Sequence, residues 1–369
     1  MPDLWSESIL EGRKLSIYHL KSTLEKCPFL FGQSKKSKDF QFGSHLFLVE
    51  EQNVFIFGME CIVYEKNKEF IVFVSKADST GFGSKGVSCN SLAFCCLVTL
   101  IDGLRKQGAE NVTLTLFAIA QGQYLFPESV DNGQKHVLND SGLLRWWVNC
   151  LEKLRKYYTD SEAPNDSEKQ KNSTLLPKAY LFVPGLENIR SYLPNRHWIE
   201  SNAITTGKAV EELPRFPDDP KCRYLCELQD EKSDMSVEEF WDTLTYRQEC
   251  SSGKLVGFFT LQLQFYQTRE FIAKDNFGDS GVMIPAKLYR VTYDTLLKHP
   301  FGSLSDAQSS TEKFLSNTLS AVQNLKDFHY KRYKLDICGL AKRDDRKNHN
   351  HSKPATQANI LQPRKKVKK

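Results

Sequence analysis

The stretch HLFLVEEQNVFIFGMECIVYEKNKEFIVFVSKAD, residues 45–78, predicts three neighbouring β-strands. It contains three runs rich in Val, Ile, Phe and Tyr, and short polar breaks separate one run from the next. Strand-forming runs with such short connections are typical of hairpins, so we expect an antiparallel meander. The three runs are residues 45–49, 54–65 and 70–74.

Helical and strand-like patterns alternate along the rest of the chain, without internal repeats. This alternation favours a mixed α/β domain in which helices pack around a central sheet. In the second predicted helix, Leu143, Trp147, Leu151 and Leu154 share one face. Helices are predicted at 88–104, 142–158, 239–247 and 309–328, and further strands at 113–120, 178–183 and 255–266.

The composition indicates an ordinary globular protein, with 40% hydrophobic and 26% charged residues among 369. The longest apolar run, residues 92–101, is shorter than the about 20 residues of a membrane-spanning helix. Because the N-terminal residues lack the pattern of an export signal, we expect the ten cysteines to be reduced and intracellular. Their spacing is a poor match to zinc ligands, so no metal site is predicted.

The net charge of +5 is unevenly distributed. Residues 341–369 carry ten Lys or Arg against two Asp, whereas the preceding 340 residues are slightly acidic. The end of the chain, PRKKVKK at 363–369, is typical of a nuclear import signal or a nucleic-acid contact. We therefore expect one domain at 1–340, with a mobile polar loop at 159–174, and a basic disordered tail at 341–369.

Two motifs could support chemistry. Residues 81–86, GFGSKG, match the pattern G-x-G-x-x-G and offer an anion-binding loop before a helix, with Lys85 as a cation. The dinucleotide interpretation requires a parallel βαβ unit, whereas hairpin-linked strands precede this loop, so a simple turn remains an alternative.

At 217–221, PDDPK places Asp218 and Asp219 between prolines in an extended, rigid segment. Paired carboxylates can raise one pKa toward that of a general base, and the alternative is a solvated turn.

Several short blocks of sequence follow one another in a fixed order: FVSKAD at 73–78, QYLFP at 123–127, KH at 135–136 with LN at 138–139, WW at 146–147, and FPDDPK at 216–221 with Arg223. Together these blocks resemble the fungal histone H3 lysine acetyltransferases. This chaperone-dependent family has a fold similar to that of the metazoan CBP-type acetyltransferases.

The resemblance implies an α/β fold with a central mixed, mostly antiparallel sheet of about seven strands, surrounded by helices. It implies acetyl-CoA as co-substrate and no metal. The implied partners are histone H3 with H4 and histone chaperones of the anti-silencing and nucleosome-assembly types. A nuclear location is implied, with roles in replication-coupled nucleosome assembly, transcription regulation and the DNA damage response.

The resemblance also assigns roles to individual residues. Asp219 takes the position of the catalytic acid or base, with Asp218 beside it, and Asp78 and Trp147 match positions implicated in activity. Lys221 matches a lysine that undergoes autoacetylation. The implied cofactor-binding positions are Ala77, Val87, Ser88, Cys89, Asn90, Phe117, Gln121, His136, Val137, Leu138, Trp146 and Arg223.

Physical chemistry is consistent with these roles. The phosphates of CoA suit the 81–90 loop and Lys85. A substrate lysine must lose a proton before it attacks a thioester, which costs roughly 4.6 kcal/mol at pH 7. We expect Trp147, Tyr124 and Phe126 to hold its aliphatic stem.

Two rival hypotheses remain. A noncatalytic chromatin or DNA-binding protein would use the basic tail, and a nicotinamide-dependent oxidoreductase would use the glycine loop. One departure from the family is the short connection from residue 104 to residue 113, where some members carry a long basic insertion.

Overall fold

The computed structural model describes residues 2–161, 176–186, 188–246, 255–265, 281–323, 325 and 333–341. Within these residues, eleven strands form one mixed sheet, and seven of its ten strand pairings are antiparallel. The predicted fold class is confirmed, although about seven strands were expected. The strands are β1 (Lys14–Ser22), β2 (Glu25–Lys26), β3 (Gln41–Glu51), β4 (Val54–Lys66), β5 (Glu69–Ser79), β6 (Asn111–Ala118), β7 (Lys178–Phe182), β8 (Trp198–Glu200), β9 (Gly257–Gln264), β10 (Val282–Ile284) and β11 (Lys334–Cys338).

Helices cover both faces of this sheet. One core contains side chains of the second and third helices, and another contains side chains of the last two helices. The strands run in the order β10-β1-β3-β4-β5-β6-β9-β7-β8, with β11 beside β1 and β2 beside β3. The helices are α1 (Pro2–Ser8), α2 (Cys89–Lys106), α3 (Asp140–Ser161), α4 (Ala209–Glu212), α5 (Pro220–Asp230), α6 (Val237–Thr245), α7 (Ala286–Leu296) and α8 (Leu304–Val322).

The predicted antiparallel meander is confirmed as β3–β4–β5. The turn between β3 and β4 places Gln52 and Asn53 at φ 52° and 65°, the left-handed conformation that two-residue hairpin turns require. Every residue of β4 from Val54 to Tyr64 is buried, because both faces of this strand are covered. The meander is thus the centre of the fold.

The glycine loop lies in a setting that the sequence did not predict. β5 pairs with β6 in parallel, and α2 connects them, so the loop opens the helix of a parallel βαβ unit. The expectation that hairpin-linked strands exclude this unit was wrong. A strand can pair with a hairpin neighbour on one side and a crossover neighbour on the other.

Three of the boundaries that differ from the predictions belong to α3 and α8. α3 continues to Ser161, so the first residues of the expected 159–174 loop are helical, and Thr159 Oγ1 donates to the Arg155 carbonyl at 2.8 Å. α8 begins at Leu304 because Ser303 caps it, and it ends at Val322, before the predicted end at residue 328. Residues 162–174 and 342–369 lie outside the described residues, so the loop and tail expectations remain predictions.

None of the helices in the described ranges is both long enough and apolar enough to cross a membrane.

The buried carboxylate of Glu152, which pairs with Arg155 inside α3, also connects α3 to the segment that contains β8. The Glu152 carboxylate accepts hydrogen bonds from Arg155 Nε at 2.8 Å and from Trp198 Nε1 at 3.0 Å, and Asn195 adds another. Burial alone would raise the pKa of Glu152, but these donors lower it to about 2. The folded state therefore favours the ionised form.

We predict that Glu152→Gln lowers the free energy of unfolding at pH 7. A depressed pKa contributes stability that is fully present above the unfolded value of about 4.5 and is lost as pH falls toward 2. The difference between variant and wild type should therefore shrink over that interval in urea denaturation series. Glu110→Gln, which removes an exposed pair with Lys68, is the control and should show no such pH dependence. A difference that does not vary between pH 5 and pH 2 would contradict this assignment.

Candidate active site

A cavity of about 350 Å³ lies where the end of β5, the glycine loop, the segment after β6 and the start of α3 meet. We call it the tryptophan cavity, because Trp146 and Trp147 both line it. It also contains residues that the resemblance assigned to the cofactor and to catalysis. Those that line it are Ala77, Asp78, Val87, Cys89, Gln121, His136, Val137, Leu138, Trp146 and Trp147.

The two tryptophans meet edge to face, with ring centroids 4.8 Å apart and planes at 89°. Trp147 is buried and Trp146 is half-buried, and both contribute to the same wall. The two rings therefore form an apolar wall, and their contact fixes the orientation of each ring. Such a wall suits a ligand with an aliphatic chain.

The Asp78 carboxylate organises another part of the cavity lining. Its Oδ2 atom accepts hydrogen bonds from the backbone N–H groups of Tyr124, Leu125 and Phe126, at 2.7, 2.9 and 3.2 Å. Its Oδ1 atom accepts from the buried ammonium of Lys135 at 2.8 Å, and from the backbone of Ser79. Both oxygens are engaged, so the geometry favours a positioning role for this predicted catalytic residue.

The aromatic residues of the QYLFP block lie in two different environments. Tyr124 lines the tryptophan cavity, and its hydroxyl donates to the Ile119 carbonyl. Phe126 is fully buried and packs edge to face on Phe301 at 4.9 Å. The expectation that Phe126 holds a substrate lysine was therefore wrong, because its ring belongs to the core.

The glycine loop is anchored from the N-terminal part of the chain. Glu51 accepts a hydrogen bond from the Ser84 backbone N–H at 2.8 Å, and Arg13 reaches both Glu51 and the Lys85 carbonyl. At Gly81, φ is +84°, and a Cβ atom would lie 2.7 Å from the backbone of Lys135. Glycine is thus required for this close approach. The Lys85 side chain is exposed, and its contact with phosphate stays a prediction.

Two predicted cofactor residues, Ser88 and Asn90, make hydrogen bonds at the start of α2, next to residues that line the cavity. Ser88 caps α2 by accepting from Ser91 N–H at 3.3 Å. Asn90 donates to the Trp146 carbonyl at 2.8 Å and accepts from Lys153, which ties the start of α2 to α3. Within the described ranges, neither residue is among those that line the tryptophan cavity.

The PDDPK motif forms a turn and a helix start, which separate its two carboxylates. We call residues 216–219 the carboxylate turn. Asp219 is buried, caps α5 by accepting from Lys221 N–H at 3.1 Å, and forms an ion pair with the Lys221 ammonium. Asp218 is 74% exposed and has φ 56°, so the segment is left-handed at this residue, whereas an extended conformation was expected throughout.

Burial raises the pKa of the Asp219 carboxyl, and the charge of Lys221 opposes that effect. The hypothesis that a paired carboxylate would raise this pKa is therefore wrong, since the dominant cause is the loss of water around Asp219.

An aromatic stack attaches the carboxylate turn to the sheet. Phe216 stacks on Phe73 of β5 with ring centroids 4.5 Å apart and planes at 5°, and Phe117 of β6 continues the stack at 5.9 Å. Phe117 thus lies in this stack, and within the described part of the chain it is not among the residues that line the tryptophan cavity. Arg223, on the exposed face of α5, lies 3.6 Å from Glu227.

Lys135, Glu51 and Lys76 make contacts near the candidate site that the sequence patterns did not predict. Lys135 stands in the KH block, but its buried pair with Asp78 joins residues 57 positions apart. Lys76 lies within the FVSKAD block, and its ammonium pairs with Asp218. Neither pairing leaves a periodic signal in the sequence.

The described residues bring together no group of three or more His, Cys, Asp or Glu side chains with metal-binding geometry. The absence of a metal stays a prediction.

Comparison with known proteins identifies the family. The family model described as the histone acetyltransferase KAT11-type domain matches residues 1–107 and 99–317. The chain belongs to this family. It is 30% identical to the histone acetyltransferase rtt109 of Aspergillus flavus over 380 residues, which covers 84% of this chain and 65% of that protein. A match to histone acetyltransferase RTT109 of Candida albicans, also 30% identical, covers 40% of this chain and 38% of that protein.

The KAT11-type fold is also seen in a solved structure. The crystal structure of Rtt109 from Aspergillus fumigatus superposes with a TM-score of 0.72 at 25% identity, and covers 93% of this chain and 99% of that one. The chain spans about two thirds or less of the length of the two curated relatives that it matches.

We predict that Asp78→Asn destabilises this KAT11-type domain by about 3–5 kcal/mol, because it leaves the buried Lys135 ammonium without its counter-charge. Urea denaturation measures the change. Asp218→Asn is the matched control: its exposed pair should contribute less than about 1 kcal/mol. Equal stability of the two variants would contradict the organising role of Asp78.

Proposed function

We propose that this protein transfers the acetyl group of acetyl-CoA to lysine side chains of histone H3. Membership of the KAT11-type family supports the reaction class. The observation that carries the proposal is the clustering of ten expected cofactor and catalytic residues around one cavity.

The tryptophan cavity has the chemistry that acetyl-CoA requires. Its apolar lining and the Trp146–Trp147 pair suit the pantetheine arm. The glycine loop at the start of α2 offers backbone N–H groups and a partial positive charge for the pyrophosphate. The parallel βαβ unit around this loop thus agrees with a phosphate ligand. The pyrophosphate of CoA can be this ligand, so no nicotinamide cofactor is needed to explain the loop.

The carboxylate turn supplies a base. The ammonium of the substrate lysine transfers a proton to Asp219, directly or through water, and the neutral amine attacks the acetyl carbonyl. A C–N bond forms and the C–S bond breaks, and the proton that the nitrogen must still lose passes to the CoA thiolate, so that CoA leaves as the thiol. Because burial raises the pKa of Asp219, its carboxylate is a stronger base than an exposed aspartate.

Lys221 adjoins the base directly. Its ammonium lies 4.8 Å from the centre of the Phe216 ring and pairs with Asp219. Acetylation of Lys221 would remove this positive charge and with it the interaction that opposes the raised pKa of Asp219. We include autoacetylation of Lys221 in the proposal, because it would make Asp219 a stronger base.

The wider biological setting follows the family resemblance. We propose a nuclear protein that acts on newly made H3 with H4, on core-domain and tail lysines, with stimulation by histone chaperones. Roles in replication-coupled nucleosome assembly, transcription regulation and the DNA damage response belong to the same proposal. The basic residues from 341 onward would direct nuclear import and attract acidic partners, with at most weak DNA binding.

Asp219→Asn should lower turnover by about 10²–10⁴, the range for general acid–base groups. The measurement is transfer from radiolabelled acetyl-CoA to H3–H4, with and without a histone chaperone. Asp230→Asn, at the exposed other end of α5, is the control and should retain full activity. Near-normal turnover of a folded Asp219→Asn variant with saturating chaperone would contradict the assignment of the base.

Trp146→Ala should weaken acetyl-CoA binding about tenfold to 100-fold in calorimetry, because the ring provides apolar contact along the cavity. Tyr246→Ala, which removes a side chain that is 85% exposed, should not change the affinity. Unchanged affinity of the Trp146 variant would place the cofactor elsewhere.

A further inference from the structure

Lys76 lies between the tryptophan cavity and the carboxylate turn. It precedes Ala77 and Asp78 on β5, and both of those residues line the cavity. Its Nζ atom is 3.1 Å from Asp218 Oδ2. One strand therefore carries part of the cavity wall and the cation that contacts the turn.

The surroundings of Lys76 restrict its side chain. Only 23% of it is exposed, compared with about half in the surface pairs of Lys68 and Lys208. Its Nζ atom lies 5.9 Å from the ring centroid of Tyr293 on α7, within the range of a cation–π contact.

A buried carboxylate faces Lys76 from the neighbouring strand. Glu60 is its cross-strand partner on β4, and Tyr289 on α7 lies with its hydroxyl 3.4 Å from the Glu60 carboxylate. The lysine thus lies beside a buried carboxyl group and an aromatic ring before it reaches Asp218. Such a cation has a defined position, unlike a surface lysine that samples many rotamers.

The carboxylate turn is fixed at both ends. Phe216 is held in the aromatic stack, and Asp219 is held by its cap of α5. The tip between them is exposed and left-handed, a conformation that Asp tolerates better than most residues and that needs support from its surroundings. The contact with Lys76 gives this support, and it restrains the peptide that leads directly into Asp219.

We propose that Lys76 is a positioning residue for acetyl transfer: placed beside Glu60 and Tyr293, it holds Asp218 and so fixes the turn that carries Asp219. The inference rests on the proposed function and deepens it. Lys76 acts on the orientation of the base, and it contributes nothing to the affinity for acetyl-CoA. Its loss therefore lowers kcat and leaves the KM for acetyl-CoA unchanged.

The test is a double-mutant cycle of Lys76→Met and Asp218→Asn in the full chain, with kcat and KM measured for acetyl-CoA and H3–H4. Each single variant should lower kcat by about tenfold to 100-fold, the size of a small misplacement of a catalytic group. The double variant should be no slower than the slower single variant, because both changes remove the same contact. Lys76→Arg, which keeps the cation, should retain most of the wild-type kcat.

Lys68→Met is the control and should keep wild-type kinetics, because Lys68 lies just before β5 in an exposed pair with Glu110. Urea denaturation checks the fold of every variant. If Lys76→Met is unfolded, Asp218→Asn still tests the proposal, because it removes the same contact through the exposed partner. Wild-type kcat in either single variant, or losses that multiply in the double variant, would overturn the proposal. An increase in KM for acetyl-CoA with kcat unchanged would also overturn it. Absence of acetyl transfer by the wild-type chain would instead contradict the proposed function.

Discussion

The Asp78 carboxylate is bonded by three consecutive backbone N–H groups on one oxygen and by the buried Lys135 ammonium on the other. A buried charge of this kind is tolerated only when its hydrogen-bonding capacity is used, and here the donors come from two separate loops. Those loops form one side of the tryptophan cavity. The shape of the cavity therefore depends on a single side chain at the end of β5.

The position of β5 explains why this strand has such influence. It pairs with β4 through the meander and with β6 through the α2 crossover, so it lies inside the sheet. Phe73, Lys76 and Asp78 all lie on β5, and the glycine loop follows the end of this strand. The ring of Phe216 stacks on Phe73. One strand in the middle of the sheet can thus fix both the wall of the tryptophan cavity and the carboxylate turn. In the proposed function these bind the cofactor and supply the base, and acyl transfer requires that the two be precisely placed.

The sequence predicted what depends on local pattern. The meander from 45 to 78 and the helices at α2 and α3 follow from hydrophobic periodicity and polar breaks, and the structure confirms them. The resemblance named residues such as Ala77 and His136, which line the cavity. In contrast, the parallel pairing of β5 with β6 depends on which strand edge the chain returns to, and periodicity contains no such information.

Charges were the least predictable part of the candidate site. Asp218 and Asp219 look equivalent in PDDPK, yet one is exposed beside Lys76 and the other is buried against Lys221. The cap that holds Asp219 is local, but the stack of the adjacent Phe216 on Phe73 joins residues far apart in the chain. The pairing of Asp78 with Lys135 likewise appears only when the loops are folded together.

In the proposed function, the tryptophan cavity and the carboxylate turn are two halves of one acetyl-transfer site. A crystal structure with a bisubstrate inhibitor, in which a lysine side chain is joined to CoA, tests it most directly. We expect the pantetheine arm between the Trp146–Trp147 wall and the end of β5, with the lysine nitrogen directed at Asp219. Electron density for CoA outside the tryptophan cavity, or a lysine nitrogen that points away from the carboxylate turn, would contradict the account.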